Sequence, residues 1–218
     1  MYAYIAVLSI MVFIFYGLKY ATLTHKNYKV RNLPDDYFYE CSINYALTCI
    51  LACSIIFFKD CIFIKTNVPD LKTIIAYLLL VDAVQYWVHR MTHKTPILRK
   101  VLHEKHHDVF HLLPMDAFNL TFLEHCLYVF ISSILPLFVF SINIYDYFFV
   151  LIIMFIHSVY IHWQTDEGFI LPLFITSEYH RQHHQIGRGN YCPLFPIWDD
   201  YMKSRIDTRK QTDNKEQK

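Results

Sequence analysis

The stretch of residues 71–93, "LKTIIAYLLLVDAVQYWVHRMTH", combines the two features that dominate the whole chain. It begins as an apolar run that only Lys72 and Asp82 interrupt, and it ends with His89 and His93 in HxxxH spacing. About 20 apolar residues in a helix cross the core of a bilayer. Positions i and i+4 share one face of a helix, so both imidazoles can reach one metal ion. The stretch therefore predicts a membrane-spanning helix that carries metal ligands at one end.

Apolar runs also occur on both sides of this stretch. The chain has 218 residues, of which 55% are hydrophobic and 18% charged, which is too apolar for an ordinary soluble domain. The other runs are Tyr2–Leu18, Cys41–Phe58, Cys126–Tyr145 and Tyr147–Thr165. Five such runs in a short chain favour membrane helices over the buried helices of a soluble protein. We predict an all-α transmembrane bundle of four to five spans, with a cytosolic helical cap that holds a histidine-rich dimetal centre.

The lysines and arginines predict how the chain is oriented. They concentrate in the segments that follow the first and third runs, and residues 141–146 have none. The positive-inside rule then places residues 19–40, 88–120 and 164–218 in the cytosol. The first run lacks a basic leading segment, so we interpret it as an anchor and not as a signal peptide. A formal net charge of +1 gives no indication of nucleic-acid binding.

Three histidine clusters carry the chemical signal. They are the HxxxH pair His89 and His93, the HxxHH group His103, His106 and His107, and a second HxxHH group of His180, His183 and His184. A surface cluster or a pH sensor does not need a repeated spacing, so we interpret these residues as shared metal ligands. Eight histidines exceed the four ligands of a structural zinc site, which indicates two ions in one centre. Imidazole binds iron, zinc, copper and nickel, so the residues alone leave the metal open.

Isolated residues extend this hypothesis. His157 lies in the fifth apolar run, where a histidine is costly unless it has a function, and we predict it as a ninth ligand. His162 is left open between a ligand and an interface residue. Four further side chains are expected to support the ligands from behind: Asp82, Glu124, Asn190 and Asp199. The six cysteines form no CxxC pair, so we expect neither a disulfide framework nor a cysteine-based metal site.

The motifs resemble those of a known superfamily. "DAVQYWVHRMTHKTPILRKVLHEKHHD" at residues 82–108 and "TSEYHRQHHQIGRGNYCPLFPIWDD" at residues 176–200 contain the three histidine boxes, and "HSVY" begins at His157. They resemble the D-x-x-x-Y-W-x-H-R-x-x-H, H-x-x-H-H and T-P-E-x-H-R-x-H-H patterns of the fatty acid hydroxylase/sterol desaturase superfamily. Its members are integral-membrane, non-haem di-iron oxidases. The similarity covers roughly residues 75–205.

The resemblance implies an enzyme whose only catalytic groups are the metal ligands. Two Fe ions would be held by the nine histidines, and zinc can replace them in preparations. The reaction would be the oxygen-dependent hydroxylation or desaturation of a sterol or fatty acyl lipid. Electrons would come from a separate donor, such as a b-type cytochrome and its reductase. In a eukaryote the protein would lie in the endoplasmic reticulum, with the histidine site facing the cytosol.

The resemblance also suggests domains and shows departures. Residues 1–70 would be N-terminal membrane spans, residues 71–205 the catalytic domain and residues 206–218 a polar, disordered tail. Thr121 stands where the family often has a histidine, and Cys192 stands where it has a glycine. These departures leave open a non-catalytic, metal-binding membrane module of the same fold. A membrane zinc hydrolase, which would need an open zinc site and a carboxylate base, is disfavoured.

Overall fold

The computed structural model describes residues 2–64, 68–164 and 173–206, and within these ranges every regular element is helical. The long helices and the two helices of the cap are α1 (Tyr2–Thr24), α2 (Tyr37–Phe57), α3 (Leu71–Lys94), α4 (Phe122–Val139), α5 (Ile144–His162), α6 (Ser177–Ile186) and α7 (Ile197–Tyr201). Short helical turns, Pro96–Leu98, Arg99–His103 and Glu104–His107, follow α3. The all-α prediction is confirmed. The polar tail that we predict for residues 206–218 lies outside the described residues from residue 207 onward.

Four helices, α2 to α5, are long and apolar enough to cross a membrane. Of α1, the part with described side chains, Ser9–Thr24, is apolar but shorter. Large apolar side chains such as Ile50, Phe57, Phe149 and Ile156 are exposed on the outside of the bundle. An apolar outer surface of this extent suits lipid better than water. The prediction of four to five spans is therefore confirmed.

Three of the spans begin earlier than the apolar runs, and polar side chains cap two of them. The Thr121 hydroxyl accepts a hydrogen bond from the Glu124 N–H (3.2 Å) at the start of α4. The Asn143 side chain accepts one from the Asp146 N–H (2.9 Å) at the start of α5. Capping residues of this kind satisfy the free N–H groups of a first turn and set where a helix starts.

One face of α3 forms the centre of the bundle. Its buried residues recur every three or four positions, as an inward-facing helix requires. They are Ile74, Tyr77, Leu78, Val81, Asp82, Gln85, Tyr86, His89 and Thr92. The face is apolar in its first turns and polar in its last ones, so α3 carries the hydrophobic core directly into the histidine cluster.

The middle of α4 is a π-helical turn, Phe130–Ile134, which precedes Pro136. Proline cannot donate a backbone hydrogen bond, and wider turns are a common way to accommodate it. Tyrosine hydroxyls from α3 and α5 donate to the main-chain oxygens in this turn. Tyr77 reaches Ser132 O at 2.7 Å, and Tyr147 reaches Ser133 O at 2.7 Å. The wide turn is thus held in place from both neighbouring spans.

A buried carboxylate fixes the connection between α3 and α4. Asp116 is fully buried in the turn Pro114–Phe118, which contacts α1, α2 and α5. It accepts hydrogen bonds from Arg31 (2.6 Å) and from the Tyr37 hydroxyl (2.9 Å). An ion pair of this kind is costly to break once buried. The turn leads into Asn119, whose main-chain oxygen contacts a histidine of the site.

Candidate metal centre

Nine buried or half-buried histidines converge in two adjacent groups. Within each group the ligand atoms lie within 4.8 Å of one another. The five-histidine group contains His89, His93, His103, His107 and His183. The four-histidine group contains His106, His162, His180 and His184. Ring contacts join the groups, as His107 stacks on His184 with ring centroids 4.5 Å apart.

Each HxxHH motif contributes to both groups. His103 and His107 belong to the five-histidine group, whereas His106 belongs to the other. In α6, His180 and His184 belong to the four-histidine group, and His183 to the other. Residues at i and i+4 share a helical face. The residue at i+3 points about 100° away from the residue at i+4 around the helix axis. The motif therefore supplies two ligands on one side and one on the other, which explains the repeated spacing.

Main-chain oxygens set the orientation of four of these rings through their Nδ1 atoms. The four contacts are His89 to Tyr191 O (2.8 Å), His183 to Gly189 O (2.7 Å), His162 to Ser158 O (2.7 Å) and His106 to Asn119 O (3.4 Å). A carbonyl oxygen can only accept, so Nδ1 must carry the proton in each ring. In the neutral ring, Nε2 then presents a bare lone pair, as a metal ligand requires.

These lone pairs face one another across short distances. The Nε2 atoms of His106 and His162 are 3.4 Å apart. In the other group, the Nε2 atoms of His89 and His103 are 2.9 Å apart. Two facing lone pairs repel each other unless a cation lies between them. Both groups therefore fit a metal ion.

Protonation does not offer a better explanation for this arrangement. Burial, and then the neighbouring His162, hold the pKa of His106 and of His180 well below the usual value for histidine. Several ring nitrogens are buried without a hydrogen-bond partner, namely both nitrogens of His93 and of His107, Nε2 of His183, and Nδ1 of His180 and His184. Buried polar atoms are normally bonded, so these nitrogens also indicate a bound cation.

Glu124 is the expected supporting residue that contacts a ligand directly. Its carboxylate accepts a hydrogen bond from Nδ1 of His103, and the residue is 1% exposed. Thr121 positions it, because the Thr121 hydroxyl caps the first turn of α4 and also donates to Leu102 O (3.0 Å). The residue that departs from the family pattern thus ties α4 to the segment that carries His103.

The other three expected supporting residues are Asp82, Asn190 and Asp199. Their observed role differs from the predicted one, because none of them is recorded with a hydrogen bond to a histidine of the two groups. Asp82 accepts from the main-chain N–H groups of Leu194 (3.0 Å) and Phe195 (3.1 Å). It therefore attaches the loop after α6 to the middle of α3. Asp82 therefore supports the ligands indirectly. The loop that it binds also contains Tyr191, whose main-chain oxygen is hydrogen-bonded to His89.

Asp199 and Asn190 act on the same loop. Asp199 accepts from the Tyr179 hydroxyl (2.7 Å) and the Cys192 N–H (2.8 Å). The Asn190 side chain donates to Tyr179 O (3.0 Å). Cys192 is 1% exposed, and burial together with Asp199 raises the pKa of its thiol. It therefore packs as a small apolar residue in place of the family's glycine.

A glycine makes this loop geometry possible. Gly189 has φ +79°, and a Cβ built there would lie 2.5 Å from Ser204 O. Ser204 O also accepts a hydrogen bond from the Asn190 N–H (3.0 Å). Only glycine allows the two backbones to approach so closely. The turn also directs the Gly189 oxygen at His183.

The structure places His162 in the four-histidine group and His157 outside both groups. This differs from the sequence prediction, which assigned His157 as the ninth ligand. His157 Nε2 instead contacts Ile175 O at 3.2 Å. Residues five positions apart lie on different faces of a helix, so only one of the two rings can face the cluster. The available signal that His162 is a ligand was its position at the last residue of α5, close to the cap that carries other histidines.

Both groups open onto one cavity inside the bundle. It has a volume of about 240 Å³ and is lined by His89, His103, His106, His162 and His180. Apolar residues form much of the remaining wall, among them Phe118, Leu120, Val129, Leu151, Met154 and Phe155. On α5 the lining extends from Leu151 to His162, which is about 16 Å along the helix. The cavity thus connects the candidate metal centre with the middle of the spans.

Comparison with known proteins assigns the family. A family model described as "Fatty acid hydroxylase" matches residues 74–204, which is more than half of the chain. Searches of curated proteins and of solved structures give no match. The matched region begins in the first turn of α3 and contains α4 to α7, both histidine groups and the whole loop after α6. The chain is therefore an integral membrane protein that belongs to the fatty acid hydroxylase family, within the fatty acid hydroxylase/sterol desaturase superfamily.

Proposed function

We propose that the protein is an oxygen-dependent lipid oxidase that hydroxylates or desaturates a sterol or fatty acyl lipid at a di-iron centre. The observation that carries this proposal is the pair of histidine groups with facing Nε2 lone pairs, which open together onto one largely apolar cavity. Membership of the fatty acid hydroxylase family supports the reaction class.

The five-histidine group would hold one iron and the four-histidine group the other. When bound, the irons would supply the reduction of dioxygen and the oxidation of an unactivated C–H bond. The chain's own contribution is to orient the ligand rings through main-chain oxygens and to exclude water by burial. With the irons bound, the Glu124 carboxylate next to His103 would offset part of the charge of the ions.

The reaction needs an external reductant. Hydroxylation consumes one dioxygen, two electrons and two protons for each C–H bond oxidised, and it yields one hydroxyl and one water. We propose a separate donor, such as a b-type cytochrome with its reductase. The excess of lysine and arginine in residues 88–120 supports an orientation with the centre facing the cytosol. In a eukaryote, we propose that the membrane is that of the endoplasmic reticulum.

Removal of one ligand tests the proposal. The full chain is produced in a host membrane, and iron per chain and oxidised membrane lipids are measured with and without dioxygen. His183→Ala is expected to abolish lipid oxidation while membrane insertion persists. His111→Ala, which changes an exposed histidine outside both groups, is the matched control and should retain activity.

The outcomes separate the alternatives. Undiminished oxidation by His183→Ala would contradict the assignment of the histidine groups as the site of oxidation. Bound metal without any oxygen-dependent change in lipids would instead indicate a non-catalytic, metal-binding membrane module. Zinc-dependent hydrolysis in the absence of dioxygen would indicate a membrane hydrolase.

A further inference from the structure

Gln85 is a polar side chain in the middle of a membrane span, and its role is not explained by the metal centre. It is 9% exposed and lines the cavity. Within the described parts of the chain, the structure records no hydrogen bond between its amide and another residue, and the side chain lines the cavity. Buried amides are normally bonded, and polar residues inside spans usually mark a functional position.

Two other polar side chains of the same wall already have protein partners. The Thr48 hydroxyl lies 3.1 Å from His125 Nε2, and the Ser132 hydroxyl donates to Tyr128 O at 2.7 Å. Gln85 differs from these residues because both its donor and its acceptor remain available for a molecule in the cavity.

The position of Gln85 places such a molecule near the metal centre. Gln85 and His89 are four residues apart on α3, and both line the cavity. They therefore share a helical face and are separated by about one turn, about 6 Å along the axis. A substrate oxygen bonded to Gln85 would lie close to the carbon that is presented to the five-histidine group.

The cavity wall also limits the charge of the bound group. The lining residues, all within the described ranges, include no lysine and no arginine. An anionic carboxylate or phosphate bound at Gln85 would be desolvated without a lysine or arginine partner, which is unfavourable. A neutral hydroxyl or carbonyl oxygen matches the amide of Gln85, which can both donate and accept.

We propose that Gln85 is the residue that recognises a neutral hydroxyl or carbonyl oxygen of the lipid, next to the carbon that is oxidised. The second half of this statement rests on the proposed oxidase function, whereas recognition of the oxygen does not. Gln85 would thereby select oxygenated lipids over plain hydrocarbon chains of the same length.

Binding of two matched probes tests this recognition. The full-length, metal-loaded protein in lipid nanodiscs is photolabelled with a diazirine-bearing hexadecan-1-ol, and separately with hexadecane bearing the same diazirine. The wild-type protein should bind the alcohol about tenfold more tightly than the alkane, as one hydrogen bond would produce. Gln85→Leu should remove this preference and leave the affinity for the alkane unchanged.

Matched variants keep the test decisive. Ser132→Ala removes a hydroxyl that lines the cavity but is already bonded, so the preference for the alcohol should persist. Metal per chain should be the same in all variants. Gln85→Met, which is closer to glutamine in shape, carries the same test if the leucine variant does not fold.

Two results would overturn the inference: equal affinity of the wild-type protein for both probes, or a preference for the alcohol that survives in the Gln85 variants. A Gln85-dependent preference for the alcohol in a protein that oxidises no lipid would instead count against the oxidase function alone.

Discussion

The two histidine groups are chemically similar but differ in their surroundings. The four-histidine group is entirely buried, and α5 contributes one of its members from inside the membrane bundle. The five-histidine group contains two half-buried members, His93 and His107, and is in contact with the carboxylate of Glu124. The Arg99 guanidinium lies close to Gly187, the residue that follows α6, since a Cβ built on Gly187 would be 3.4 Å from it. One candidate metal position is thus enclosed, and the other approaches the surface of the cap.

The largest expected effect comes from His162→Ala, which breaks the four-histidine group only. Because a four-coordinate site loses one of its ligands, we expect the loss of about one metal ion per chain and of lipid oxidation. Metal analysis of the purified protein measures this loss. His157→Ala is the control and should retain both ions. The reverse pattern in the two variants would show that His157 is the ligand.

Glu124→Gln should weaken the five-histidine group selectively. The amide keeps the shape of the side chain but removes the negative charge that supports His103. Loss of a supporting partner of this kind typically reduces metal affinity about 10-fold to 100-fold. Competition with a metal chelator measures the affinity. Glu178→Gln, at an exposed carboxylate paired with Arg181, serves as the control. Equal affinities of the two variants would contradict the role of Glu124.

Metal removal should distinguish the two groups by rate. We expect the ion of the five-histidine group to leave several-fold faster on addition of a chelator, because His93 and His107 are half-buried and the other group is enclosed. Time-resolved metal release from the wild-type protein should show two phases. The fast phase should remain in His162→Ala. Release in a single phase, or loss of the fast phase in this variant, would show that exposure does not separate the groups.

The smallest expected effect comes from Thr121→Ala. It removes the cap of α4 and the bond to Leu102 O, which should reduce stability by about 1 kcal/mol. Thermal unfolding in a fixed detergent measures this change, with the exposed Thr24→Ala as control. Metal content should be nearly unchanged. Complete loss of metal would mean that Thr121 holds the ligands more directly than the structure indicates.

Much of the fold was predictable because apolar runs of this length have few alternatives. A chain cannot leave main-chain polar groups unbonded in lipid, so such runs form helices. The exact ends were not predictable from hydropathy. Thr121 and Asn143 start α4 and α5 by side-chain capping, so the described helices begin four and three residues earlier than the apolar runs at Cys126 and Tyr147.

The site was predictable in its residue types but not in its partition. Eight of the histidines that we expected as ligands lie in the two groups, because i and i+4 spacing alone places rings on one face. Three of the four expected supporting residues instead hold the loop that follows α6. We expected Asp82 to support the ligands directly, yet its partners are main-chain N–H groups far along the chain.

Local spacing and hydropathy therefore account for the helices, the membrane environment and the supply of metal ligands, since these properties depend on neighbours within one or two helical turns. The division of each HxxHH motif between two groups, the inclusion of His162 and the exclusion of His157 depend on how α3, α5, α6 and the cap pack together. The same packing brings Gln85 to the wall of the cavity, where no other described residue is recorded as its hydrogen-bond partner. Contacts between distant segments set these features, and no periodicity within a single helix specifies them.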